Sequence, residues 1–174
     1  MKGEHPFVKW AIKVIEFKVR DGIELEPNPK ELPAELFERR AGVFVTLHKS
    51  TGELRGCIGT FLPTTQDIAH EIAQNAISAA LEDPRFEPVS EKELSSLVVS
   101  VDVLSTPKEV RTIDELDPRK YGVIVESGWR RGLLLPDLEG VDTIEQQIRI
   151  AKMKAGIHER ESVKIYRFTV ERYH

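Results

Sequence analysis

Apolar residues at Phe7, Ala11, Val14, Ile15 and Val19 recur with helical period, which predicts a first helix from Pro6 to Arg20 ended by Asp21-Gly22. Glu26-Pro27-Asn28-Pro29 reads as a stiff extended loop, and Pro33 to Arg40 as a short helix with proline at its start. The pattern then changes to a period of two. Gly42 to His48 and Leu54 to Phe61 read as strands joined at Ser50-Thr51-Gly52, which predicts a hairpin. Thr64, with Asp67 three positions on, is the expected cap of a helix from Thr65 to Glu82. Ile68, Ala69, Ile72, Ala73, Ala76, Ile77, Ala80 and Leu81 line one of its faces, and their small size implies close packing on another element. Asp83-Pro84 stops that helix.

Strict alternation from Leu97 to Leu104 predicts a strand closed by Thr106-Pro107. Two short strands follow, Tyr121–Glu126 and Gly132–Leu135, around Ser127-Gly128-Trp129. Asp142, with Glu145 three residues later, is the expected cap of a helix running to Ala155, with Gly156 as its C′ glycine. Val163 to Tyr173 reads as one long final strand. Strands come in runs with few helices between them, so the pattern predicts an α+β fold with a mostly antiparallel or mixed sheet and packed helices, not a doubly wound one. Pro84–Pro88 and Pro107–Pro118 are the expected seams if the chain forms two lobes.

At 174 residues, with 40% hydrophobic and 31% charged positions, the chain suits a single domain with a real core. A formal charge of −4 argues against a general nucleic-acid surface. The sole cysteine, Cys57, excludes an internal disulfide framework and a CxxC metal site, and fits a reducing compartment. No apolar run suits a signal peptide or a membrane span, so a cytoplasmic location is expected. Few Asn and Gln beside abundant Glu, Lys and Arg lean toward a thermophilic source. No metal-ligand spacing, P-loop, GxGxxG or GxSxG is present, so neither a metal nor a cofactor is expected.

Leu54-Arg55-Gly56-Cys57-Ile58-Gly59 stands out because two glycines weaken a strand interior. They are tolerated at a bulge, or where another group approaches the backbone. Arg55 and Cys57, two residues apart, share a face of an extended chain. A guanidinium beside a thiol favours the thiolate, so Cys57 is a candidate nucleophile with Arg55 as its activator. On chemistry alone the weightier alternative is a small buried thiol beside an arginine paired to a carboxylate. His48 and His70 are the histidines expected within reach of Cys57, although each reads better as a surface or satisfied histidine.

Leu54 to Thr60 also resembles the signature of the AMMECR family, named for the Alport syndrome, midface hypoplasia and elliptocytosis chromosomal region. The likeness extends to Gly42–Leu47, Asp83-Pro84-Arg85-Phe86-Glu87-Pro88-Val89, Val101–Ser105, Arg131–Pro136 and Lys154–Ile157. Asp142–Arg149 is similar to the prokaryotic form called AmmeMemoRadiSam system protein A. The resemblance implies an α+β fold with a larger lobe built from both termini, a smaller lobe, and a cleft faced by the signature. It also implies a MEMO-family protein and a radical-SAM enzyme as partners. The matched residues Thr46, Gly56, Gly59, Thr60, Asp83, Arg85, Arg131 and Lys154 are candidate substrate contacts, Arg85 as a bidentate clamp for an anion. Sheet packing for the threonines, an Asp83–Arg85 tie that fixes its own loop, and solvated surface for Arg131 and Lys154 are the competing readings. Two functions stand level: an enzyme or enzyme component acting on a small anionic substrate, and a non-catalytic partner or scaffold for those two proteins. RNA or nucleotide binding stands well behind.

Overall fold

The computed structural model describes all 174 residues, and the chain divides into two compact units. The larger comprises Met1–Val103 with Glu171–His174, so both termini contribute to it; the smaller is Leu104–Val170. Neither proline-rich seam marks the division, which falls within the sheet strands just after Val103 and just before Glu171.

In the larger unit, helix α1 (Pro6–Asp21) is capped by His5, whose Nδ1 accepts from the Phe7 amide, and ends at Gly22 in the left-handed region. A single turn, α2 (Glu35–Glu38), precedes β1 (Val43–Lys49) and β2 (Leu54–Gly59), which pair as an antiparallel hairpin. Helix α3 (Ile68–Leu81) follows, then β3 (Leu97–Leu104) beside β1. With β8 (Val170–Tyr173) the sheet order is β2-β1-β3-β8, leaving β2 at an edge. Val43, Val45 and Leu47 of β1 and Val99, Val101 and Val103 of β3 are sealed in one core with the apolar faces of α1 and α3. Trp10 is fixed within it by donating from Nε1 to the Ala69 carbonyl at 2.8 Å.

The smaller unit is a sheet of order β4-β7-β5-β6 with helix α4 (Ile144–Lys154). Its strands are β4 (Lys108–Glu109), β5 (Gly122–Ser127), β6 (Arg130–Leu134) and β7 (Lys164–Phe168). Gly132 of β6 has no room for a side chain, because a Cβ there would lie 1.9 Å from the Ala151 carbonyl oxygen of α4.

Several elements differ from the pattern reading: α2 and β2 are shorter than expected, and β4 was not expected at all. The caps shift: α3 is capped by Asp67, not Thr64, and α4 by Thr143 with Gln146, not Asp142 with Glu145. The final strand breaks at Thr169, where β7 and β8 join different sheets. Thr169 is fixed by Ser105, whose Oγ accepts from its amide at 2.9 Å and whose amide donates to its carbonyl at 3.0 Å. No helix is long and apolar enough to cross a membrane.

Candidate functional site

The β1–β2 pairing contains a bulge. Leu47 lies opposite Gly56 and His48 opposite Leu54, which leaves Arg55 as the extra residue. That bulge separates the two proposed catalytic groups. Arg55 turns to Glu93: Nε donates to Oε1 at 2.8 Å and Nη2 to Oε2 at 3.3 Å, while Nη2 also donates to the Glu87 carbonyl at 2.9 Å. The residue is 7% exposed, its Nη1 is buried without a partner, and it makes no hydrogen bond to Cys57. The Arg55 guanidinium, joined by the Ser90 amide and hydroxyl, holds the Glu93 carboxyl down at about 2.

Cys57 sits opposite Thr46, whose hydroxyl donates to Sγ at 3.3 Å. Val43 accepts from the Thr60 amide, and alternation from that bonded pair makes Thr46–Cys57 a non-hydrogen-bonded pair. The side chains of such a pair stand close, and the Cys57 amide and carbonyl face the open edge of β2. Both are taken by one loop. The amide donates to Asp83 Oδ2 at 2.9 Å, and Arg85 Nη2 donates to the carbonyl at 3.2 Å. Asp83 in turn accepts from Arg85 Nε at 2.9 Å, Nη2 at 2.7 Å and the backbone amide at 3.1 Å. A carboxylate and a guanidinium thus do for Cys57 what a neighbouring strand would, and they blunt an exposed sheet edge. The Arg85 hydrogen bonds hold the Asp83 carboxyl far below its ordinary range, against a burial effect that pushes it up. Phe86 lies beneath both guanidinium groups, 5.5 Å from Arg85 Cζ and 5.9 Å from Arg55 Cζ.

The glycines are packing positions. A Cβ on Gly56 would lie 2.2 Å from the Ala79 carbonyl oxygen of α3, and one on Gly59 would lie 2.2 Å from the Phe44 ring. Protein atoms therefore fill the space that the sequence reading left to a ligand. Thr60 is engaged too, donating to Glu71 and accepting from Asn75 Nδ2 at 3.3 Å. His48 is aligned with Leu54, and His70 is held by Asp67 at 2.7 Å and Gln66 at 2.9 Å, so neither histidine touches Cys57. In the smaller unit, Arg131 is paired with Glu126 across the strands, and Lys154 is exposed on the last turn of α4.

Sequence reasoning missed Glu71. It is fully buried on α3 with no cation beside it, and it accepts from the hydroxyls of Thr60, Thr64 and Thr65 and from the amides of Thr64 and Thr65. Its signal was available: a carboxylate three residues after Ile68, on the buried arc of the helix.

Asp83 supports an acid-sensitivity prediction. Its depressed carboxyl stabilises the fold above its unfolded value near 3.8, and that contribution fades as pH falls toward its folded value. Asp83→Asn should cost about 2–3 kcal/mol at neutral pH through weakened charged hydrogen bonds. Urea unfolding should show the gap to wild type narrowing below about pH 4; a gap independent of pH contradicts the assignment.

A two-unit α+β protein with a carboxylate–guanidinium-capped edge strand defines the class. The chain belongs to the AMMECR1 family, whose profile matches residues 8–173. It is 67% identical to a protein of Thermotoga maritima over 99% of both chains. It is 48% identical to protein CA_C1420 of Clostridium acetobutylicum over 97% of this chain, a stretch occupying 36% of the clostridial protein. The crystal structure of the uncharacterised protein PH0010 from Pyrococcus horikoshii is similar at a TM-score of 0.86 and 36% identity, covering 95% of this chain and 88% of that one.

Proposed function

We propose that this protein is a binding component of an enzyme system, a partner of MEMO-like and radical-SAM proteins, and not a self-contained thiol catalyst. The observation that carries this reading is the pairing around Cys57: Arg55 is matched by Glu93, Arg85, which also lies within electrostatic reach of Cys57, is matched by Asp83, and the one hydrogen bond to Sγ comes from the Thr46 hydroxyl. No general base is hydrogen-bonded to Sγ, and both nearby guanidinium groups are matched by carboxylates, which weakens either route to an activated thiolate. The length of the clostridial relative supports the same reading, since there an equivalent stretch is about a third of a larger protein.

Two measurements test it together. Cys57→Ser should still sustain the pathway in a strain lacking the gene, and Cys57 should react with iodoacetamide no faster than a free cysteine at neutral pH. Fast alkylation together with loss of function in the serine variant defeats the proposal.

Arg85 favours the enzyme reading more than any other residue does, because its side chain remains 54% exposed over Phe86. On that reading a small anion displaces Asp83 from the guanidinium, and Arg85→Lys should abolish its binding while leaving co-purification with the partners intact.

A further inference from the structure

Away from the signature strand, the larger unit has a groove of about 410 Å³ between the extended loop after α1 and the outward side of α3. Its depth is apolar, with Leu25 and Pro27 on the loop side and Ala73 and Ile77 on the helix side. Its mouth is acidic, with Glu24 and Glu26 on the loop and Glu82 at the far end of the helix. The helix residues of the lining run from His70 to Glu82, which at about 1.5 Å per residue makes the groove roughly 18 Å long.

The charges at the mouth are incompletely matched. Glu24 has Lys18 at 2.6 Å. Glu26 has only the His70 ring at 3.7 Å, and Glu82 accepts only from the Ser78 hydroxyl at 2.6 Å. His70 itself is already held by Asp67 and Gln66. The Gln74 side chain, exposed midway along the groove, has no hydrogen-bond partner. No strand edge lines the groove, so nothing there offers the repeated backbone pairing that an extended peptide uses.

We infer that this groove binds a linear aliphatic polyammonium cation. Methylenes between ammonium groups lie along Leu25, Ala73 and Ile77, and the ammonium groups sit at Glu26 and Glu82, near the two ends. The separation of the charges excludes a compact metal ion as the matching ligand, since one ion cannot span carboxylates placed at opposite ends of a helix of this length. A volume of this size lies within the range of small-molecule sites.

The test is calorimetric titration of the intact chain with spermine at low salt, beside magnesium chloride at matched ionic strength. One spermine should bind per chain, at least about tenfold more tightly than magnesium, since one point charge satisfies one carboxylate only. Glu26→Gln and Glu82→Gln should each weaken spermine roughly threefold, the size of an exposed ion pair. Gln74→Trp should fill the groove and abolish binding, with circular dichroism confirming the fold because Gln74 is exposed. Should that variant misfold, Gln74→Lys takes its place and should weaken binding about fivefold by repulsion. Spermine no tighter than magnesium, or undiminished in the folded Gln74 variants, overturns the assignment. So does a lysine-rich peptide that displaces spermine and binds more tightly, which would make the groove a protein-docking site.

Discussion

Gly56→Ala should lower the stability of the larger unit by about 3 kcal/mol, at the upper end of overpacking effects. The added carbon would lie 2.2 Å from the Ala79 carbonyl oxygen and 3.3 Å from its carbon. Both atoms belong to the backbone of α3, so no side-chain rotation relieves the contact, and the helix must move off the sheet. That displacement reaches the core, because α3 buries Ile68, Ile72, Ala76, Ala79 and Ala80 against the same sheet. In thermal unfolding the midpoint should fall by roughly 6–12 °C for a chain of this size. Gly59→Ala should cost a comparable amount, about 2–3 kcal/mol, since the added carbon would meet the Val43 carbonyl oxygen at 2.6 Å as well as the root of the Phe44 ring at 2.2 Å, and the backbone oxygen cannot turn aside. Gly52→Ala meets open space and carries only the strain of its positive φ of 92°, about 1 kcal/mol. Gly56 and Gly59 both well above Gly52 is the diagnostic result. If Gly56→Ala unfolds within 1 kcal/mol of wild type, α3 does not pack as described.

The consequence for function is direct. A glycine in the signature strand that cannot be replaced looks, in a loss-of-function screen, like a residue of an active site. Here its requirement comes from helix-on-sheet packing. Gly132 in the smaller unit faces the same constraint against Ala151. Loss of activity on changing Gly56 therefore reports folding unless the variant's stability is measured beside it.

Local pattern made much of the fold legible. Alternation from Leu97 to Leu104 located β3 at both ends, and the apolar period located α1 to within one residue. It failed where partner choice decided the outcome. Apolar and polar positions continue to alternate through Thr169, so nothing local records that β7 and β8 pair with different sheets. At the start of α3, Thr64 and Asp67 are both good capping residues. Asp67 takes the role, because Thr64 and Thr65 are bound to Glu71.

The site was legible in its residues but not in its ties. The hexapeptide marked the strand, and both readings of its glycines have a counterpart: a bulge at Arg55, and close approach of other groups to Gly56 and Gly59. The partners that define its chemistry lie 38 residues away in Glu93 and 26 away in Asp83, and no spacing rule connects them to the motif. The bulge also cancels the face-sharing that two-residue spacing predicts for Arg55 and Cys57. Asp83–Arg85, read as either an anion clamp or a loop tie, forms the tie, and Arg85 keeps half its side chain open to solvent.

Glu71→Ala should be the most destabilising change at the edge of this site, by about 3–5 kcal/mol. Its carboxylate is fully buried and has only neutral donors: the hydroxyls of Thr60, Thr64 and Thr65 and the amides of Thr64 and Thr65. Removing it orphans four of the five, the Thr65 hydroxyl keeping the Asp67 carbonyl at 3.0 Å, and releases the segment from Thr60 to Thr65 that links β2 to α3. Burial pushes this carboxyl up, but the hydrogen bonds from Thr60, Thr65 and Thr64 together outweigh it and leave it below the ordinary value of 4.5. The sign follows from that direction. A group with a lowered folded value stabilises the protein above its unfolded value, and the contribution is lost as pH falls through the folded one. Wild type should therefore weaken on acidification below about pH 4.5, and Glu71→Gln should flatten that limb. Glutamine keeps the size, yet it brings two donors into a site already composed of donors, so it should still cost about 2–3 kcal/mol at neutral pH. Amide exchange separates this account from a general loss of packing. Thr64 and Thr65 should exchange fast in Glu71→Gln under native conditions while the amides of β3 keep their protection. Uniform loss of protection across the sheet would instead make Glu71 a packing residue with no special hold on the loop.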